Sequence, residues 1–404
     1  PAYTSDPDAG EISADDFYTT TTDWLSLSSE EHRRIYTWQD DHLFPTKSAD
    51  WRAYGTALYY CNTILEGLNK IERTGDNAKT YDDLKGQALF FRGKSLLQNC
   101  FIWTLPYDEQ TASTDLGLPL RLSTDFNETS IRASLKVTYQ QLLTDLRAAA
   151  HLLPVKPVSY IRACKVAAFA CLSRAYLSMG NYPDALLYAD SCLQINSTLI
   201  NYNDLAKSTA TYPFQQLNKE VISQGLMAGG QILNLTRARI VDELYNSYTE
   251  FDLRKSLFFT TNTDGTHGFK GRYSGSASTF SGLAIDEVYL NRAECYARAG
   301  KINEALNDLN TLMITRWVTG KFVPFTANTK DAALSLILTE RRKQLLFRGL
   351  RWMDLRRLNK EGAKITLNRT INGKEYILYP NDLRYALPIP EDIIELSGML
   401  QNPR

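Results

Sequence analysis

Nowhere in its 404 residues does the chain carry the run of roughly 20 apolar residues that a membrane-spanning helix requires, so no segment reads as transmembrane. Net charge is also missing. The 45 Lys and Arg balance the 45 Asp and Glu, and no basic stripe stands out; a nucleic-acid partner, which calls for clustered phosphate-neutralising cations, is not expected. The six cysteines (Cys61, Cys100, Cys164, Cys171, Cys192 and Cys295) include no CxxC pair. Most fall within apolar helical patterns, where a free thiol behaves as a small hydrophobe. Histidine is scarce: His32, His42, His151 and His267 form no HExxH and no cluster, so neither a metal nor a cofactor is expected. There is no GxSxG elbow. The acidic pairs Asp40-Asp41 and Asp82-Asp83 are neighbours in sequence, which does not make two carboxylates facing across a cleft. These absences point away from an enzyme. The start at Pro1, on Ser/Thr/Asp-rich sequence, shows no leader; a processed chain would look the same, so it assigns no compartment.

What the chain does have is apolar material, 44% of residues, and 23 tyrosines. It also has an internal repeat. CKVAAFACLSRAYLSMGNYPDALLYADSCLQ (164–194) and DEVYLNRAECYARAGKINEALNDLNTLMI (286–314) pair Tyr176 with Tyr296, Gly180 with Gly300, and Ala185 with Ala305. Each copy reads helix, glycine turn, helix, with glycine where a helix end needs a left-handed residue and alanine where two helices approach closely. The pattern resembles tetratricopeptide-type helix pairs. Residues 49–73, 81–104, 131–152 and 330–348 add further helical periodicity. The expected fold is mainly α, a tetratricopeptide-like scaffold of about four hairpins: 49–104, 131–179, 182–195 with 285–299, and 302–348. Three loop-rich regions lie outside that stack, at 1–48, 105–130 and 196–284. The last, an insertion inside a hairpin, reads as long loops with short helices. Asn372-Gly373 between β-prone residues predicts a late hairpin.

One tempting motif fails. Residues 88–95 fit a loose phosphate-loop expression, but Leu89, Phe90, Phe91 and Arg92 sit inside a helical pattern, where backbone amides cannot face phosphate. A second segment, ERRKQLLFRGLRWMDLRR (340–357), interleaves arginines with apolar residues. It reads as two helices joined at Gly349 and locked by arginine–carboxylate pairs, since a planar guanidinium can bridge helix ends bidentately.

That segment resembles the signature of the SusD/RagB family, a Glu-Arg-Arg helix followed by Gly-x-Arg-Trp-x-Asp-Leu-x-Arg; here the matching residues are Glu340, Arg341, Arg342, Gly349, Arg351, Trp352 and Asp354. LKGQALFFRGKSLLQNCFIWTLPYD (84–108), the 164–194 hairpin and the tail YALPIPEDIIELSGMLQNPR (385–404) are similar to other family stretches in the same order. Together they make one SusD-like domain of residues 1–404, closed by a segment 349–404. Gln344 and Arg348 depart from the family's usual Glu, Ser397-Gly398 from Asn-Pro, and Arg404 from a terminal Gly. The resemblance implies a non-catalytic lipoprotein on the outer face of the Bacteroidetes outer membrane. Such a protein captures an oligosaccharide and delivers it to a SusC-like TonB-dependent transporter. The lipidated cysteine expected of the family is absent from these residues, so the anchor is implied only by the resemblance.

A sugar ring offers apolar C–H faces and a rim of hydroxyls, so a binder needs exposed flat aromatics edged by Asn, Asp, Gln or Arg. Loops on a rigid scaffold are where such sites sit. The expected platform is Trp38, Tyr36 and Tyr273, with Asp40, Asn262 and Arg272 as polar partners. A site of aliphatics and charges would instead favour peptide capture, as in RagB-like members, and an apolar groove on the helix face would favour a protein scaffold.

Overall fold

The computed structural model describes residues 6–44, 48–157, 159, 161–227 and 229–404. Short helices α1 (Ala9–Ser13), α2 (Thr21–Leu25) and α3 (Glu30–Tyr36) come first; Thr20 and Ser29 cap the latter two by accepting from the Asp23 and His32 amides. The scaffold proper begins with α4 (Ala49–Leu68), α5 (Ala78–Trp103), α6 (Leu135–Leu152), α7 (Lys165–Ser178) and α8 (Tyr182–Ile195). After the insertion, with α9 (Asp242–Asn246) and α10 (Arg254–Phe258), come α11 (Ile285–Arg298), α12 (Ile302–Met313) and α13 (Lys330–Gln344). The signature's second helix is α14 (Arg351–Lys360), and α15 (Glu391–Ser397) lies near the end.

Each scaffold helix packs on the next: α4 on α5, α5 on α6, α6 on α7, α7 on α8, and α8 on α11 across the insertion. The periodicity explains the faces. On α4, Tyr54, Leu58, Cys61 and Leu68 are buried, one stripe at spacings of three, four and seven. The repeat glycines adopt positive φ, 72° at Gly180 and 75° at Gly300, and Ala185 and Ala305 are fully buried. Tyr176 stacks on Tyr188 at 5.6 Å. Helix ends move by a few residues from the sequence expectation. Thus α6 starts at Leu135 because the Ser134 hydroxyl caps Val137, and α13 stops at Gln344, just ahead of the positive φ at Phe347 (54°) and Gly349 (70°). All six cysteines are free and buried. The rejected phosphate-loop residues lie within α5, where Lys94 pairs with Asp6 at 2.6 Å.

The insertion holds more strand than expected. Arg239–Ile240, Phe259–Thr261 and His267–Phe269 join Phe17–Tyr18 in a four-stranded antiparallel sheet. Strands this short show no alternation in sequence, so periodicity could not reveal them. The predicted late hairpin forms from Leu367–Ile371 and Lys374–Leu378, with Asn372 and Gly373 both at positive φ as a type I′ turn needs.

Two contacts tie α8 and the residues just after it to α11: Arg292 donates to Asp190 at 2.8 Å, and the Tyr289 hydroxyl donates to the Ser197 carbonyl. The insertion therefore leaves and re-enters the scaffold at one end. Glu220 fastens that neck. Its side chain accepts from the Ile200 amide (2.6 Å) and Arg316 (2.9 Å), and its carbonyl accepts from the Ile285 amide (2.9 Å).

Glu11 is buried at the junction of α1 with the signature. One carboxyl oxygen accepts the Gly349 amide at 2.8 Å and the other has no hydrogen-bond partner. Burial pushes its carboxyl up to about 8, and neighbouring Asp16 adds to the rise. A raised folded-state value means the folded chain holds a proton that the unfolded chain has released, from the ordinary carboxylate range up to about 8. Stability from this group is therefore complete at acid pH and falls as pH rises through that window, at about 1.4 kcal/mol per unit. Glu11→Gln, which keeps the neutral shape, is expected to flatten this slope in urea melts between pH 5 and 8. An unchanged slope would assign the pH dependence to other groups.

Candidate functional site

The six residues expected to make the platform do not form an exposed aromatic face in this structure. Tyr36 and Trp38 are both buried. They sandwich Arg369, whose guanidinium lies 3.6 Å from the Tyr36 ring and 4.5 Å from Trp38. The Trp38 indole donates to the Ser13 carbonyl at 3.0 Å. Tyr273 is buried too; its hydroxyl donates to Glu220 (2.7 Å) and meets Tyr202 (2.8 Å). Arg272 is buried, donating to Thr279 and to the Leu233 and Ala277 carbonyls. Asn262 closes the 262–266 turn through Thr266, and only Asp40 is exposed. These aromatics are part of the one continuous core that the loops share with the helices. The platform expected there is corrected accordingly.

Exposed rings occur instead beside a groove of about 500 Å³ between α4, the 119–130 loop and α15. Phe126 is 79% exposed and Tyr59 39%. Their rings stack at 5.3 Å with planes 28° apart. Trp51 and Tyr54 lie deeper, and Leu396 and Met399 form the opposite wall.

The geometry follows from local sequence. Phe126 stands in LSTDFNETS, among turn formers that supply no apolar neighbour. Asp125 accepts the Asn127 amide (2.8 Å) in an Asx turn that sets the tip. The loop is pinned to α4 along its length. The Tyr54 hydroxyl donates to the Pro119 carbonyl (2.9 Å), and Asn62 donates to the Arg121 and Ser123 carbonyls. Glu66 accepts both the amide and hydroxyl of Thr124 (2.8 and 2.5 Å), and these bonds hold its carboxyl below the usual range. Asn62 is itself fixed by Arg92 (2.9 Å), which pairs bidentately with Asp145. Arg121 donates to the Glu128 and Asp125 carbonyls and to Ser130, closing the loop on itself. The groove is thus pre-organised, with flat rings at its mouth and hydroxyl groups along its wall.

Tyr59 and Phe126 carry signals that sequence reasoning passed over. Tyr59 and Tyr60 are adjacent, and the core stripe of α4 runs through 54, 58 and 61, so neither tyrosine can face the core. Phe126 is a lone aromatic in a polar stretch.

The signature residues are structural in their contacts. Arg341 donates to Asp354 (2.8 Å) and Asn291 (2.7 Å); Glu340 accepts from Arg254 (2.5 Å) and Lys343 (3.1 Å). Arg342 reaches Asp16 (2.8 Å), and Arg351 pairs bidentately with Asp15. Trp352 packs on Tyr385 at 4.7 Å. Against the desolvation of burial, Arg341 and Arg357 hold the Asp354 carboxyl below its ordinary value. The departures at 344 and 348 are mutually consistent: Gln344 and Arg348 both donate to Asp286, which a Glu at either position would repel. Among the described residues no group of three or more His, Cys, Asp or Glu could hold a metal.

Comparison with known proteins places these features. A family model described as starch-binding associating with outer membrane matches residues 3–177, and the SusD family model matches residues 211–404. A SusD superfamily protein of Bacteroides thetaiotaomicron superposes with a TM-score of 0.78 at 22% identity, covering 100% of this chain and 95% of its own. One of Bacteroides vulgatus gives 0.76 at 21%, covering 100% and 93%. A SusD-like carbohydrate binding protein of the same species gives 0.74 at 19%, covering 96% and 90%. No curated protein sequence matches. The helical scaffold, the arginine-locked signature and the two matching halves agree: the chain belongs to the SusD/RagB family.

Proposed function

We propose that the protein binds a glycan without transforming it and passes it to a SusC-like TonB-dependent transporter at the outer face of the outer membrane. The carrying observation is the exposed Phe126–Tyr59 stack at the mouth of a groove fixed to α4. A flat apolar pair stacks on the C–H face of a sugar ring, while Ser123 and Ser130 supply hydroxyl groups near ring edges. Family membership supports outer-membrane association. No helix among the described residues is long and apolar enough to cross a membrane; attachment through a lipid on the N-terminal side belongs to the proposal.

Native gels cast with single neutral polysaccharides test it. At least one polysaccharide should retard the protein, and Tyr59→Ala with Phe126→Ala should restore free migration. Retention that survives the double substitution would place the site elsewhere. Capture of peptides in place of any glycan would favour the peptide reading.

A further inference from the structure

The aromatic surface continues past the groove. Tyr60 is 55% exposed, and its ring centroid lies 6.0 Å from that of Tyr59. Phe126, Tyr59 and Tyr60 therefore make an unbroken run of three exposed rings. The outward face of α4 extends it with Gly55 and Thr56 on one side and Thr63, Ile64 and Gly67 on the other, all exposed. A Cβ at Gly55 or Gly67 would meet nothing within 4 Å, so both positions are open. From Gly55 to Gly67 the helix rises about 18 Å.

Charge is the second observation. Between Arg52 and Lys70 the only acidic or basic side chain is Glu66, and Thr124 occupies its carboxylate. In the groove, Arg121 is engaged by Glu128, Asp125 and Ser130. An anionic sugar would meet no free cation among the described lining residues, and its carboxylate would lose hydration without a partner. Neutral rings stacked in series suit the surface.

Resting on the glycan reading of the groove, we infer that the ligand is an uncharged, extended oligosaccharide. Its chain leaves the groove across Tyr59 and Phe126 and runs over Tyr60 along α4.

Calorimetry with neutral di-, tetra- and hexasaccharides of malto-, cello- and xylo- type, and with hexagalacturonate, tests this. For the series that binds, the hexasaccharide should bind at least tenfold tighter than the disaccharide. Tyr60→Ala, at an exposed position, should remove most of that gain while leaving the melting temperature within a degree or two of wild type. Hexagalacturonate should bind at least tenfold more weakly than the neutral hexamer. Equal affinity for di- and hexasaccharide, or a length gain that Tyr60→Ala leaves intact, sinks the extended path but spares the groove. Preferential binding of the galacturonate sinks the neutral-ligand inference alone. Absence of binding across all neutral series overturns both.

Discussion

Arg174→Met is expected to lower the unfolding free energy by about 3–5 kcal/mol, among the largest losses any single substitution in this chain should cause. Arg174 on α7 and Glu287 on α11 are each about 1% exposed and meet bidentately at 2.7 and 2.6 Å. Removing the guanidinium leaves Glu287 as a buried carboxylate without its hydrogen-bonded cation, and frees the Gly282 carbonyl that Arg174 also bonds at 2.7 Å. The asymmetry matters more than the loss itself. A buried ion pair contributes little net stability because desolvating both charges offsets their attraction, so removing both should do less harm than removing one. The double variant Arg174→Met, Glu287→Met is therefore expected to recover most of the loss. Urea midpoints for the two singles and the double form the required cycle. A double variant as unstable as either single would show that the pair contributes net attraction, and losses that simply add would show no coupling between the two side chains.

Calorimetry on the groove should show the largest functional effect. Each of Tyr59→Ala and Phe126→Ala is expected to weaken glycan binding about tenfold, equivalent to about 1.4 kcal/mol. Because the rings stack on each other, the two losses should not add. Removing Phe126 also takes away the ring that holds Tyr59 flat. Tyr59 is a partly exposed helix residue and Phe126 a loop tip, so both variants should melt close to wild type. Unchanged affinity in the double variant would remove the groove from consideration.

The scaffold was legible in the sequence because amphipathic helices repeat their apolar positions over many turns. Gly180 and Gly300 marked the hairpin turns, and the Arg341–Asp354 segment announced its own pairing. The platform was misread for a specific reason. Residue type in a loop-rich region suggests exposure for Tyr36, Trp38 and Tyr273, yet these rings are buried against Arg369, Phe214 and Glu220. Composition records that an aromatic is present; only long-range partners decide whether it faces solvent. Tyr59 was overlooked because it lies on a helix, although its place off the core stripe was readable.

The shared neck of the insertion has a consequence for change over time. Residues 196–284 begin and end at one edge of the α8–α11 pair, and Glu220 joins the two strands of that neck. Closure entropy grows only slowly with length, about 0.6 kcal/mol per doubling. The exposed stretches of this segment, such as residues 206–211, can thus be lengthened or shortened without disturbing how the helices beneath assemble, provided that the Glu220 fastening and the Arg254–Glu340 pair are kept. A lineage could acquire new surface over this scaffold by lengthening such exposed loops, each step leaving the buried contacts of the segment in place.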